Sequence, residues 1–166
     1  MNYRLNKEML ALLGGDPAFT ESSSVPIPDA LNRALAAGFE DINGCIVLSS
    51  LASCRSSALE SLKGNDNETG IEAAINEIHM EDFIPVETPF FELVRLGNDF
   101  GFALGKRLVD TGIVERFRVI IGAMPVGSSS MRNSCTVRFH KLRRDQSWLN
   151  DDLESYQKEA IGVMDF

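Results

Sequence analysis

A chain of 166 residues that is 44% hydrophobic and 24% charged, with a net charge of −8, has the make-up of one soluble domain able to bury its own core. No apolar run nears the roughly 20 residues of a membrane helix, and "MNYRLNKEML" lacks the long apolar stretch of a secretory signal, so a cytoplasmic protein is expected. Cys45, Cys54 and Cys135 are odd in number and widely spaced, which with only two histidines argues against a disulfide framework or a structural zinc site.

In chain order, Asn6 suits the cap of a short helix in "NKEMLALLGG" that Gly14 and Gly15 stop. The proline- and serine-marked stretch after it reads as a loop. Asp29 then caps a helix with Leu31, Ala34 and Leu35 on one face. "NGCIVL" predicts a brief strand over 44–48, in which Cys45 is a buried, inert thiol, and "SCRSSALESLKG" extends a helix over 51–63. After the loop "KGNDNETG" the spacing predicts a helix over 70–82, with Ile71, Ala74, Ile75 and Ile78 on its stripe and Glu72, Glu77 and Glu81 mostly off it. Pro85 and Pro89 confine the next stretch to an extended connection or edge strand. "FFELVRL" fits strand or helix, and a helix is expected from Asp99 to Gly112.

"RFRVIIGAM" and "CTVRFHKLR" read as strands, the second alternating Val137 and Phe139 with Arg138 and His140. His140 is expected to face solvent, and His79 to lie on a helix surface. The end of the chain predicts a helix capped by Ser147, with Trp148, Leu149, Leu153, Tyr156 and Ile161 along one face. The expected fold is a single α+β domain over 1–166: a small, mostly antiparallel sheet with a hairpin near 116–144, packed with four or five helices.

The loop "GAMPVGSSS" comes nearest to a chemical motif. It has the GxxxxG of a phosphate-binding loop, but Ser128 stands where that loop needs lysine, and no helix start follows. The stretch "FGFALGKRLVDTGIVERFRVIIGAMPVGSSS" resembles the helix, strand and glycine/serine loop of SGNH-type carbohydrate acetylesterases. That resemblance implies a serine hydrolase using residues 127–130. Such enzymes also carry an early Gly-Asp-Ser or Gly-Gln-Ser turn and a late Asp or Glu with His, and neither is present in this sequence. No catalytic residue, metal ligand or cofactor is therefore expected. Asp151 and Asp152, adjacent on the predicted last helix, point about 100° apart and cannot chelate one ion by themselves.

Charge is unevenly distributed. Residues 67–92 hold Glu68, Glu72, Glu77, Glu81, Asp82, Glu87 and Glu92 and no lysine or arginine, residues 93–144 are strongly basic, and the remainder is acidic again. Either the acidic helix neutralises the basic strands internally, or it stays open to a basic partner. The second reading makes the chain a small acidic protein-binding protein, an inhibitor or immunity (antitoxin-like) protein that neutralises a basic protein, with a secretion-type chaperone as an alternative. Its expected contact residues are Glu72, Glu77, Glu81, Asp82, Arg132, Asp151, Asp152 and Glu154. Nucleic acid, repelled by the net charge, and membrane are not expected partners.

Overall fold

The computed structural model describes residues 2–15, 22–52, 67–125 and 133–166. Ser128–Ser130, Arg132, Cys54 and most of the predicted helix over 51–63 lie outside the described residues. The elements in order are β1 (Asn2–Leu5), α1 (Lys7–Leu12), α2 (Asp29–Ala37), β2 (Phe39–Ile42), β3 (Cys45–Leu48), α3 (Ser49–Ala52), α4 (Glu68–Ile75), β4 (Ile78–His79), a 3-10 turn (Met80–Phe83), α5 (Phe90–Asp110), β5 (Phe117–Met124), β6 (Ser134–Lys141), a second 3-10 turn (Leu153–Ser155) and β7 (Ala160–Asp165).

The two stretches rich in β-branched residues pair as expected. β5 and β6 are antiparallel, with Val119 opposite Phe139 and Ile121 opposite Val137. Further antiparallel pairing gives a five-stranded sheet in the order β1-β7-β5-β6-β4, with β2 and β3 as a separate hairpin, so the fold is the expected α+β domain. Strand alternation gives the sheet two faces. Val119, Ile121, Cys135, Val137, Phe139 and Met164 face the long helix α5 and join its Leu93, Leu96, Phe100, Leu104 and Leu108 in one core. Helix and sheet approach closely at Gly97, where a Cβ would sit 2.6 Å from Cys135 Sγ. The opposite face is covered by the segment before β7, whose Leu149, Leu153 and Tyr156 pack on Ile161 and Val163.

Three predicted helices take other forms. α5 starts at Phe90 behind Pro89 rather than at Asp99, because its apolar stripe from Leu93 to Leu108 is continuous. The predicted C-terminal helix is a loop, a 3-10 turn and strand β7. Ile161, Val163 and their neighbours pair with strands on both sides, which outweighs the local helical spacing. The predicted helix 70–82 stops at Ile75, and Ile78 and His79 pair instead with Val137 and Thr136. Asn6 caps α1 as expected, accepting from Met9 N, and the same oxygen accepts from Ile161 N of β7. At α2 the cap position belongs to Pro28 and Asp29 makes no capping bond.

The hairpin joins the main sheet through side chains. Glu72 and Asn76 lie four apart, hence on the same side of the α4 end, and both are fully buried. Glu72 Oε1 accepts from Ile46 N at 2.7 Å, and its Oε2 accepts from Lys141 N at 2.9 Å and from Arg143. Asn76 accepts from Leu48 N at 3.1 Å and donates to the carbonyls of Ile46 (2.8 Å) and Phe139 (3.3 Å). The two side chains thus serve as a substitute strand between β3 and β6, satisfying backbone groups that a sheet edge would leave open.

Candidate functional site

The acidic run 67–92 divides into two kinds of group. Glu72, expected at a partner-facing surface, is interior: none of its surface is exposed, and it is matched by two backbone N–H groups and the Arg143 guanidinium. Glu68 also pairs with Arg143, at 3.0 Å. Glu77 pairs with Arg138 at 2.6 Å, and the Arg138 guanidinium in turn stacks over the Trp148 ring. Burial pushes the Glu81 carboxyl up, but hydrogen bonds from the N–H groups of Cys135 and of Glu81 itself, from His79 and from Ser134 outweigh it and hold the group below the ordinary glutamate range. Asp82 is exposed. Arg138 of β6 and Arg143 just after it therefore take up Glu77, Glu68 and Glu72, and the exposed acids of the segment are Asp82 and Glu87, both after β4.

His79 belongs to β4 and not to a helix. Its Nε2 lies 3.2 Å from Glu77 Oε1, and its Nδ1 the same distance from Glu81 Oε1. Residues 77, 79 and 81 thereby form a polar row on the outer face at the edge of the sheet. Beside this row is a groove of about 310 Å³ between α2, the β3–α3 corner and β4. Leu31, Leu48, Leu51, Ile78 and Phe83 give it an apolar lining, and Glu77, His79 and Asp82 stand among its polar lining residues. Leu31 and Leu48 belong to the central core, so the floor is rigidly held, while Phe83 is 38% exposed at the end of the groove. A second apolar depression, on the outer side of α5 at Phe102, Val109 and Phe166, has Lys106 as the charged group in its lining.

The remaining predicted contacts sit elsewhere. Asp151, Asp152 and Glu154 are exposed, on a loop and 3-10 turn rather than a helix. Asp152 caps that turn by accepting from Glu154 N, and Glu154 accepts from Lys7 N. They are not part of the groove lining. Arg132 lies outside the described residues.

His140 is 1% exposed, against the expectation of a solvent-facing strand residue, because the segment before β7 folds across this sheet face. Its Nδ1 contacts the Lys141 carbonyl at 2.8 Å; a carbonyl only accepts, so Nδ1 carries the hydrogen, and Nε2 is buried with no partner among the described residues. Burial holds the pKa below the ordinary histidine value; the Lys141 bond opposes this, the Arg118 and Arg143 charges add to it, and Asp165 opposes it weakly. A depressed histidine means the unfolded chain binds more protons, so stability rises with pH up to about 6.5 and falls on acidification below it. Melting temperatures measured between about pH 7 and 5 should show this fall, and a His140→Gln variant, though less stable overall, should show a shallower one.

The two described cysteines are poor nucleophiles: Cys45 is buried and pushed up to about 11, first by burial and then by Glu72, and Cys135 is pushed higher still by complete burial. Among the described residues no group of three His, Cys, Asp or Glu gathers to hold a metal ion, and no helix is long and apolar enough to cross a membrane. The groove was legible in one respect. "EIHMED" alternates polar and apolar residues from Glu77 to Glu81, a strand signal that the helical spacing of the preceding isoleucines obscured.

A family model described as "Uncharacterized protein PM0498 family" matches residues 4–166, and the chain belongs to that family. No curated protein and no solved structure matches it.

Proposed function

We propose that this protein is a protein-binding domain that captures a basic partner protein in the groove beside β4 and acts by occupying it, as an inhibitor or immunity (antitoxin-like) protein does. One observation carries the reading: an apolar groove of about 310 Å³ is bordered by the carboxylates of Glu77 and Asp82. Covering Leu51 and Phe83 supplies the hydrophobic part of the affinity. The carboxylates select a partner with lysine or arginine around its apolar anchor and repel an acidic one. The net charge of −8 extends that preference to long range and accelerates encounter.

The reading moves the contact surface expected from sequence. Glu77 and Asp82 remain in it, Glu72 leaves it because it is interior, and Asp151, Asp152 and Glu154 contribute only to the general field. Immobilised wild-type protein should therefore retain a protein of net positive charge from its native extract, with affinity that weakens as salt rises. Asp82→Lys should raise the Kd by about tenfold. The double variant Asp151→Lys/Asp152→Lys should change it little in comparison. Binding that ignores both salt and Asp82→Lys would remove the proposal.

A further inference from the structure

We infer that the partner docks by adding an extended segment to the open edge of β4, with side chains alternating basic, apolar, basic. The inference rests on the groove reading above and goes further, to the shape and pattern of what enters. β4 is the last strand in the order β1-β7-β5-β6-β4, so among the described residues no strand pairs on its far side. That far side is where the groove lies, lined by Ile78 and His79 of the strand itself. An edge strand beside a groove is the geometry in which an incoming segment gains backbone hydrogen bonds and side-chain pockets together.

The register follows from the two-residue period of a strand. Ile78 is opposite Val137 and points to the core side of the sheet. Glu77 and His79 point to the other side, where Glu77 meets Arg138 and His79 lies between Glu77 and Glu81. In a strand laid along β4, the residue opposite Ile78 projects to the same side as Ile78, toward Leu31, Leu48 and Leu51. Its two neighbours project to the other side, against Glu77, His79 and Glu81. An apolar residue suits the first position. A lysine or arginine suits each flank, where it would join a network in which Glu77 already meets Arg138 and Glu81 already meets His79, with the exposed Asp82 also lining the groove. β4 spans only two residues, so it offers few backbone bonds, and the side-chain pattern carries most of the discrimination.

The test uses two fluorescein-labelled pentapeptides of identical composition, Ser-Lys-Leu-Lys-Ser and Ser-Lys-Lys-Leu-Ser, with anisotropy and amide chemical shifts of the full-length protein as readouts. A third and a fourth peptide carry the alternating sequence N-methylated at the leucine or at both lysines. The alternating peptide should bind about tenfold more tightly than its isomer and shift the Ile78 and His79 amides. One of the two N-methylation phases should abolish that gain, since successive strand N–H groups point to opposite sides. Equal binding of the isomers would overturn strand addition while leaving the acidic-groove reading intact. Binding of neither, or shifts confined to residues away from β4, would overturn it as well. If the captured partner also ignored Asp82→Lys, the groove reading would fail with it.

Discussion

Replacing Glu72 by alanine is expected to cost the fold about 3–5 kcal/mol, read as a loss of unfolding free energy in a urea titration followed by circular dichroism. The carboxylate has no exposed surface and accepts from Ile46 N, Lys141 N and Arg143. Its removal leaves two interior N–H groups without an acceptor and deprives a largely covered guanidinium of its buried carboxylate partner, with only the half-exposed Glu68 remaining. The cost of breaking such a pair is mainly the desolvation of what is left behind. Glu72→Gln keeps one carbonyl acceptor and should fall between wild type and alanine. Removing Arg143 together with Glu72 should cost less than the two separate losses combined, because the partners belong to one network.

Phe139→Ala is expected to cost a similar amount, about 3–5 kcal/mol, with Phe139→Leu held under about 1.5 kcal/mol. Phe139 is completely buried on the α5-facing side of β6 and meets Phe39 of the hairpin edge to face, with ring centres 5.5 Å apart. Its carbonyl also receives Asn76. Truncation therefore leaves a cavity at the seam that joins the hairpin to the main sheet, and one wall of the groove loses its support. Amide hydrogen exchange should report this locally, with Ile46 and Leu48 exchanging faster than the β5 and β7 amides in the variant. Uniform acceleration across the sheet would mean that the hairpin is not a separable unit.

The strong signals in the sequence were those in which local pattern and tertiary environment agree. β5 and β6 are β-branched, alternate, and find partners on the sheet, so they were readable; Asn6 lies ahead of an apolar helix and caps it. The failures occurred where long-range pairing overrides local spacing. Ile71, Ala74, Ile75 and Ile78 are spaced as a helix, yet Asn76 ends it by committing its amide to β3 and β6. The C-terminal segment has helical spacing as well, but Ile161 and Val163 sit between two strands. Charge was legible in amount and not in placement. A glutamate off the apolar stripe of an isolated helix belongs on the surface, and only the docking of β3 and β6 on that side makes Glu72 interior. The groove had no single motif, since its floor is assembled from α2, β3, α3 and β4, segments that lie up to about fifty residues apart.

Hydrogen exchange of the protein alone and in complex with its captured basic partner tests the groove most directly. Protection gained at Ala30–Ala34, Leu48–Leu51 and Glu77–Phe83, and lost again in Asp82→Lys, is the predicted result. Protection confined to the Asp151–Glu154 loop, with the amides around β4 unchanged, would contradict it.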